Sequence, residues 1–407
     1  MFGPFPLPHT QNVESYPKSL VELRMNSLSA TIREKVDWHI KRLNPNIVSR
    51  WEAEALAQGC TIEQFKYVID ELEYYDSLRS DFIEVASVDG VWRASALFPH
   101  HLKSQFALLI SKLSTIPDKD KDWHPGSDNK VLDLVHPGLY LFVSGKTRTI
   151  ELVEAGDPPF ERNSGIPTKL PELQGMFVSA HYQWIPTPVV VNDKYQVEFL
   201  SYINNLHPTH HQDLYVVLGE MFQRTLPLFE RVLGFLKSPL QPKIDLRDFQ
   251  IYSSASEPEQ EEDETDSDYD NRLEEWWDRR RPLNPIPIPT FTKRVLPLVS
   301  LRSCRLQVIV KIQEIQLTPE RPTYDGGVWH VEGMENERIV ATAIYYYECS
   351  NITESTLSFR QAVCEPEYEQ NDDRGMNEVY GLSNEAPLVQ ELGSVVTKVW
   401  LIPKSAR

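Results

Sequence analysis

The run GGVWHVEGM at 326–334 sets His330 two positions before Glu332, just after a pair of glycines. In an extended strand, side chains two apart share a face, so this imidazole and carboxylate would project together while Trp329 and Val331 point away. Side by side, they can occupy neighbouring positions on one metal ion. One histidine from another strand would complete the two-histidine, one-carboxylate set of non-haem iron oxygenases, with coordination positions left open. Gly326 and Gly327 allow a tight turn immediately before the pair. A bare His-x-Glu also arises by chance in many chains, so the surrounding elements carry much of the weight.

Three other residues bear on such a site. Tyr345, in the tyrosine run 345–347, could bond a bound carboxylate or serve in aromatic packing. Arg360 could supply positive charge to a co-substrate or make a structural salt bridge. Asn336 could orient a metal ligand or occupy a turn. His207, His210 and His211 are loosely spaced around Pro208 and read as an exposed helix start, as do His100 and His101. The chain has no Gly-rich phosphate loop, Gly-x-Ser-x-Gly elbow or His-Glu-x-x-His helix.

The elements that must position these residues change character along the chain. Residues 18–130 read as mostly helical, with Leu20, Leu23, Leu28, Ile32, Val36 and Ile40 at three- to four-residue intervals. Thr61 and Gln64 fit a capping box opening a helix to Leu78. A mixed region follows over 131–252, with short β-branched and aromatic strands at 139–153 and 176–191 and a helix at 208–236. Residues 253–290 read as an acidic, Pro-rich insertion or linker. The β-rich part, 291–407, carries expected strands at 306–312, 328–334, 337–348 and 355–361. Residues 1–17 are expected to be disordered. The class is α+β.

Composition narrows the setting. The chain has 407 residues, thirty prolines and a formal charge of −18. Nine carboxylates fall within 257–270, where no basic residue offsets them. Such a balance argues against general nucleic-acid or anionic-membrane binding, because phosphates would repel the average surface. The acidic run is a solvated insertion or a contact for a basic partner. Cys60, Cys304, Cys349 and Cys364 are widely spaced, as reduced thiols would be. Neither a leader nor a membrane span is apparent, so the expected compartment is the cytosol, with the nucleus as alternative.

The segments DLVHPGLYLFVSGKTR (133–148), HYQWIPT (181–187), SYINNLHP (201–208) and the long block from Gln307 to Gln361 resemble the fungal family called domain of unknown function 4246. The resemblance covers roughly residues 20–398. That family is similar in its core to 2-oxoglutarate/Fe(II) dioxygenases, so it implies a C-terminal double-stranded β-helix (jelly-roll or cupin-like) with the helical region wrapped against it. It also implies Fe(II) and 2-oxoglutarate as cofactors, a small or amino-acid-like substrate, and His330 and Glu332 as two of three iron ligands. His136 and His181 fall in matching segments and read as hydrogen-bonded core histidines. The family pattern continues past GSVVTK (393–398) into a strand pair expected to hold the distal histidine and a basic anchor. Here VWLIPKSAR follows, and all eleven histidines lie at or before position 330. The expectation is a truncated barrel with two iron ligands from the chain; the alternative is a non-catalytic binding protein or a degenerate, metal-free oxygenase fold.

Overall fold

The computed structural model describes residues 5–7, 16–80, 82–149, 166–167, 177–238, 241–254, 257–353, 355–363, 365–366, 372–382 and 394–400. Most of the expected disordered N-terminus, the end of the 139–153 strand and Cys364 therefore lie outside the described residues. In chain order the longer elements are α1 (Leu20–Arg33), α2 (Trp38–Lys41), α3 (Pro45–Ala57), α4 (Ile62–Ser77), β1 (Ile83–Val85), β2 (Trp92–Ala94) and α5 (His100–Ser114). Then come β3 (Val131–Val135), β4 (Phe142–Val143), β5 (Arg148–Thr149), β6 (Ile166–Pro167), β7 (Tyr182–Gln183), β8 (Thr187–Val191), β9 (Val197–Phe199) and α6 (Gln212–Lys237). The remainder holds α7 (Asp266–Glu275), β10 (Cys304–Val308), β11 (Ile312–Ile315), β12 (Thr356–Ala362) and β13 (Ser394–Trp400). Among the described residues, no helix is long and apolar enough to cross a membrane.

The chain divides into two compact units. One comprises Met1–His9, Ala96–Gly234 and Leu298–Ser350. Its core joins Leu102, Phe106 and Ile110 of α5 to Leu132 and Val135 of β3 and to Leu214 and Val217 of α6. Burying each such side chain stabilises by about 1.5–3 kcal/mol. All pairing is antiparallel: β8 lies between β10 and β9, β11 pairs with β3, and β4 pairs with β7. The expected single strand over 306–312 is two strands. β10 serves the β8 sheet and β11 the β3 sheet, so residues 309–311 form the passage from one to the other. The segments 328–334 and 337–348 make no ladder, contrary to their alternating pattern. Alternation reports which side chains share a face, but a strand also needs a partner edge for its N–H and C=O groups.

The second unit comprises Thr10–Ser95, Phe235–Pro297 and Asn351–Arg407. Its apolar core includes Met25 and Ile32 of α1, Trp51 of α3, and Phe65, Val68 and Leu72 of α4. The expected capping box is present: Thr61 Oγ1 accepts from Gln64 N at 3.3 Å, and Gln64 Oε1 accepts from Thr61 N at 3.2 Å. The helix expected to run through Val36 and Ile40 stops at Arg33, and those two residues are exposed. The buried stripe of α1 is Glu22, Met25, Ser29, Ile32 and Arg33. Charge decides that rotation. The Arg33 guanidinium donates to the carbonyls of Ala86 and Ser87, lies 4.1 Å from the Tyr75 ring, and pairs with Asp89. Burial and the neighbouring carboxylates push the Tyr75 hydroxyl well above its usual pKa.

Part of the acidic run is ordered, which its composition did not suggest. Thr265 Oγ1 caps Asp268 N at 3.2 Å to start α7, and acids in its first turn complement the helix dipole. Arg272 pairs with Glu264, and Arg280 with Glu275, so local bases offset local acids. β12 and β13 pair through seven residues, from Thr356 opposite Trp400 to Ala362 opposite Ser394.

Candidate metal centre

His330 and Glu332 do project together. His330 Nε2 lies 3.5 Å from Glu332 Oε1. Two donors in neighbouring positions on one ion at about 2.1 Å lie about 3.0–3.4 Å apart, so this spacing is within about 0.5 Å of a shared metal. The other ring nitrogen, Nδ1, is 2.8 Å from the Val328 carbonyl oxygen. A proton on Nδ1 donated to that carbonyl leaves the Nε2 lone pair facing Glu332, the usual arrangement of a ligating histidine. Both side chains reach solvent, at 58% exposure for His330 and 34% for Glu332.

The loop carrying the pair is fixed at both ends by backbone that suits glycine. Gly326 has φ +97°, and Gly333 has φ +73°, where a Cβ would come 2.5 Å from Glu337 Oε2. Beyond Gly333, the Glu337 carboxylate accepts from Met334 N and Trp184 N, both at 2.6 Å. Asn336 accepts from Ser179 N at 3.1 Å and donates to Gln183 Oε1 at 3.3 Å. Of the two sequence readings of Asn336, its contacts are those of a residue pinning a turn.

Tyr345 packs its ring on Phe98, centroids 4.6 Å apart, and on Phe106 at 6.2 Å. Burial raises its hydroxyl pKa. Tyr347 donates to Glu314 Oε1 at 2.8 Å, and burial, then that carboxylate, push its pKa up. Tyr345 and Tyr347 are thus engaged in aromatic packing and one carboxylate contact. Arg360 sits on β12 opposite Val396, and its side chain lies outside the described residues. His207 and His210 stack at 3.9 Å just before α6, and among the described residues neither belongs to a metal-like grouping.

A second grouping was not anticipated. His124, Asp133 and His136 offer one donor atom each within 4.8 Å of one another. The five residues of β3 are all buried, so Asp133 within it needs partners. His124 Nδ1 lies 2.9 Å from Asp133 Oδ2, and Gln313 of β11 donates its amide to Asp133 Oδ1. The chain doubles back to achieve this: Trp123 bridges Leu132, His124 N donates to Val131 O at 2.8 Å, and Gly126 takes φ +75° in the connecting turn. His136 follows the strand directly. Its ring centroid is 5.4 Å from that of His124, and its Nδ1 accepts from Gly138 N at 3.0 Å. Desolvation, with Lys311 and His124 nearby, lowers the His136 pKa and favours the neutral ring. The available signal was a lone carboxylate in the otherwise apolar VLDLV. The expectation of a core histidine at 136 had the hydrogen bond right and missed its neighbours.

Comparison with known proteins identifies a family. The family model described as protein of unknown function (DUF4246) matches residues 62–399, and the model described as domain of unknown function DUF4246, N-terminal, matches residues 3–54. No curated protein and no solved structure matches the chain. With the two models spanning nearly its whole length, the chain belongs to the DUF4246 family.

Proposed function

We propose that the protein is a fungal, cytosolic non-haem Fe(II)/2-oxoglutarate-dependent oxygenase-like protein with a double-stranded β-helix core, acting on a small or amino-acid-like substrate. One observation carries the reading: an imidazole and a carboxylate two residues apart meet at 3.5 Å, with the far nitrogen of the imidazole on a backbone carbonyl. In this reading His330 presents Nε2 to the metal, and Val328 holds the ring in the required tautomer. Glu332 supplies the neighbouring carboxylate. Glu337 and Asn336 keep the loop at its angle by tying it to 177–184. When bound, ferrous iron with 2-oxoglutarate supplies O₂-dependent oxidation, the co-substrate leaving as succinate and CO₂. The test is iron-dependent succinate release from 2-oxoglutarate by the wild-type chain and by His330→Ala. Release that depends on His330 supports the proposal, and equal release from both defeats it.

One observation favours a second reading, a binding protein without catalysis. Among the described residues, no third histidine, cysteine or carboxylate groups with His330 and Glu332. Well-folded protein that takes up no Fe(II) would select this reading. In either case the acidic run 257–270 is available to a basic partner.

A further inference from the structure

We propose that His124, Asp133 and His136 form a separate binding site for a first-row transition-metal dication, built on the β3–β11 sheet. The donor set is two imidazoles and one carboxylate, which suits Zn²⁺, Co²⁺, Ni²⁺ or Fe²⁺ far better than Mg²⁺ or Ca²⁺, whose preferred ligands are oxygens. Spacing agrees. Donors of a tetrahedral ion bonded at about 2.1 Å lie about 3.4 Å apart, so a cluster within 4.8 Å has at most about 1.4 Å to close.

The support for the cluster is already in place. Asp133 sits on a five-residue strand that is wholly buried, and Gln313 from the paired strand anchors its Oδ1. Oδ2 faces His124. A dication entering here replaces the proton shared by that oxygen and that ring, and it gives the buried carboxylate a doubly charged partner. His136 joins through Nε2 with its Gly138 bond kept, or through Nδ1 by exchanging that bond for the metal. The exchange through Nδ1 costs about 1 kcal/mol, the net worth of the bond from the half-buried Gly138 N–H. Three ligands leave a fourth position for water or an anionic ligand. None of these side chains is used by the His330–Glu332 reading, so the two sites stand or fall separately.

The experiment is a Co²⁺ titration of the full chain, followed by the ligand-field absorption of the bound ion and by calorimetry. It uses wild type, the double variant His124→Gln/His136→Gln, the single variant His136→Gln, and His330→Ala/Glu332→Ala. The expected result is that the first double variant binds one equivalent fewer than wild type, while the His330/Glu332 variant keeps the equivalent in question. Gln313→Ala, which frees Asp133 without touching a ligand, should weaken binding about 10- to 100-fold. His136→Gln removes the Gly138 contact and the ring contacts with His124 and Trp184, and serves if the double variant folds poorly. Metal-free unfolding midpoints identify that case. Co²⁺ bound by folded His136→Gln with wild-type stoichiometry and affinity would overturn the site. A wild-type equivalent lost only on changing His330 and Glu332 would also overturn it, while leaving the oxygenase reading intact.

Discussion

The two metal-capable groupings are built in opposite ways. His330 and Glu332 are neighbours in sequence on a loop between two left-handed glycines, and both reach solvent. His124, Asp133 and His136 are gathered around a buried strand, with Asp133 held by Gln313 from 180 residues away. The first is cheap to make and cheap to lose. The second is tied into the core, so its polar contacts are also stability. A site's visibility in sequence and its cost to the fold need not go together.

The comparison can be broken most readily at Asp133. Replacing it with Ala strands the Gln313 amide and removes the partner of His124, and should cost about 1–3 kcal/mol in urea unfolding. A cost near zero would remove the claim that the trio is structurally embedded. Tyr347→Phe deletes the hydroxyl donated to Glu314 while keeping the ring against Phe106, and should cost about 1 kcal/mol.

A pH series sharpens the contrast. Burial holds the folded-state pKa of His136 below that of the unfolded ring, near 6.5. The unfolded chain therefore binds the proton more tightly, and stability falls as pH drops through about 6.5 until the folded ring itself titrates. His136→Gln should lose less stability than wild type between about pH 7.5 and about pH 5.5. Parallel losses would contradict the assignment. The smallest effect belongs to His330→Ala, which should change unfolding free energy by no more than about 0.5 kcal/mol, because the ring is largely exposed. A loss comparable to that of Asp133→Ala would erase the distinction.

What could be read from sequence was what is local. The Thr61–Gln64 box closes over a separation of three as its spacing implied, and His330 and Glu332 meet over a separation of two, though on a loop and not on the expected strand. The buried stripe of α1 could not be read from its leucines, because Arg33 turns inward to carbonyls at 86 and 87. Nor could the strand boundary at 309–311, which depends on which sheet edge each half meets. The trio was hidden for the same reason. Its geometry depends on a turn through Gly126 and a glutamine on another strand, and no spacing rule links His124, Asp133 and Gln313.

The most direct test of the central claim is an anaerobic titration with Fe(II) and 2-oxoglutarate, watching for the visible charge-transfer band of a 2-oxo acid chelated to ferrous iron. Wild type and His124→Gln should develop the band, and Glu332→Ala should not. A band that survives Glu332→Ala, or its absence from well-folded wild type, would contradict the assignment of His330 and Glu332 as iron ligands.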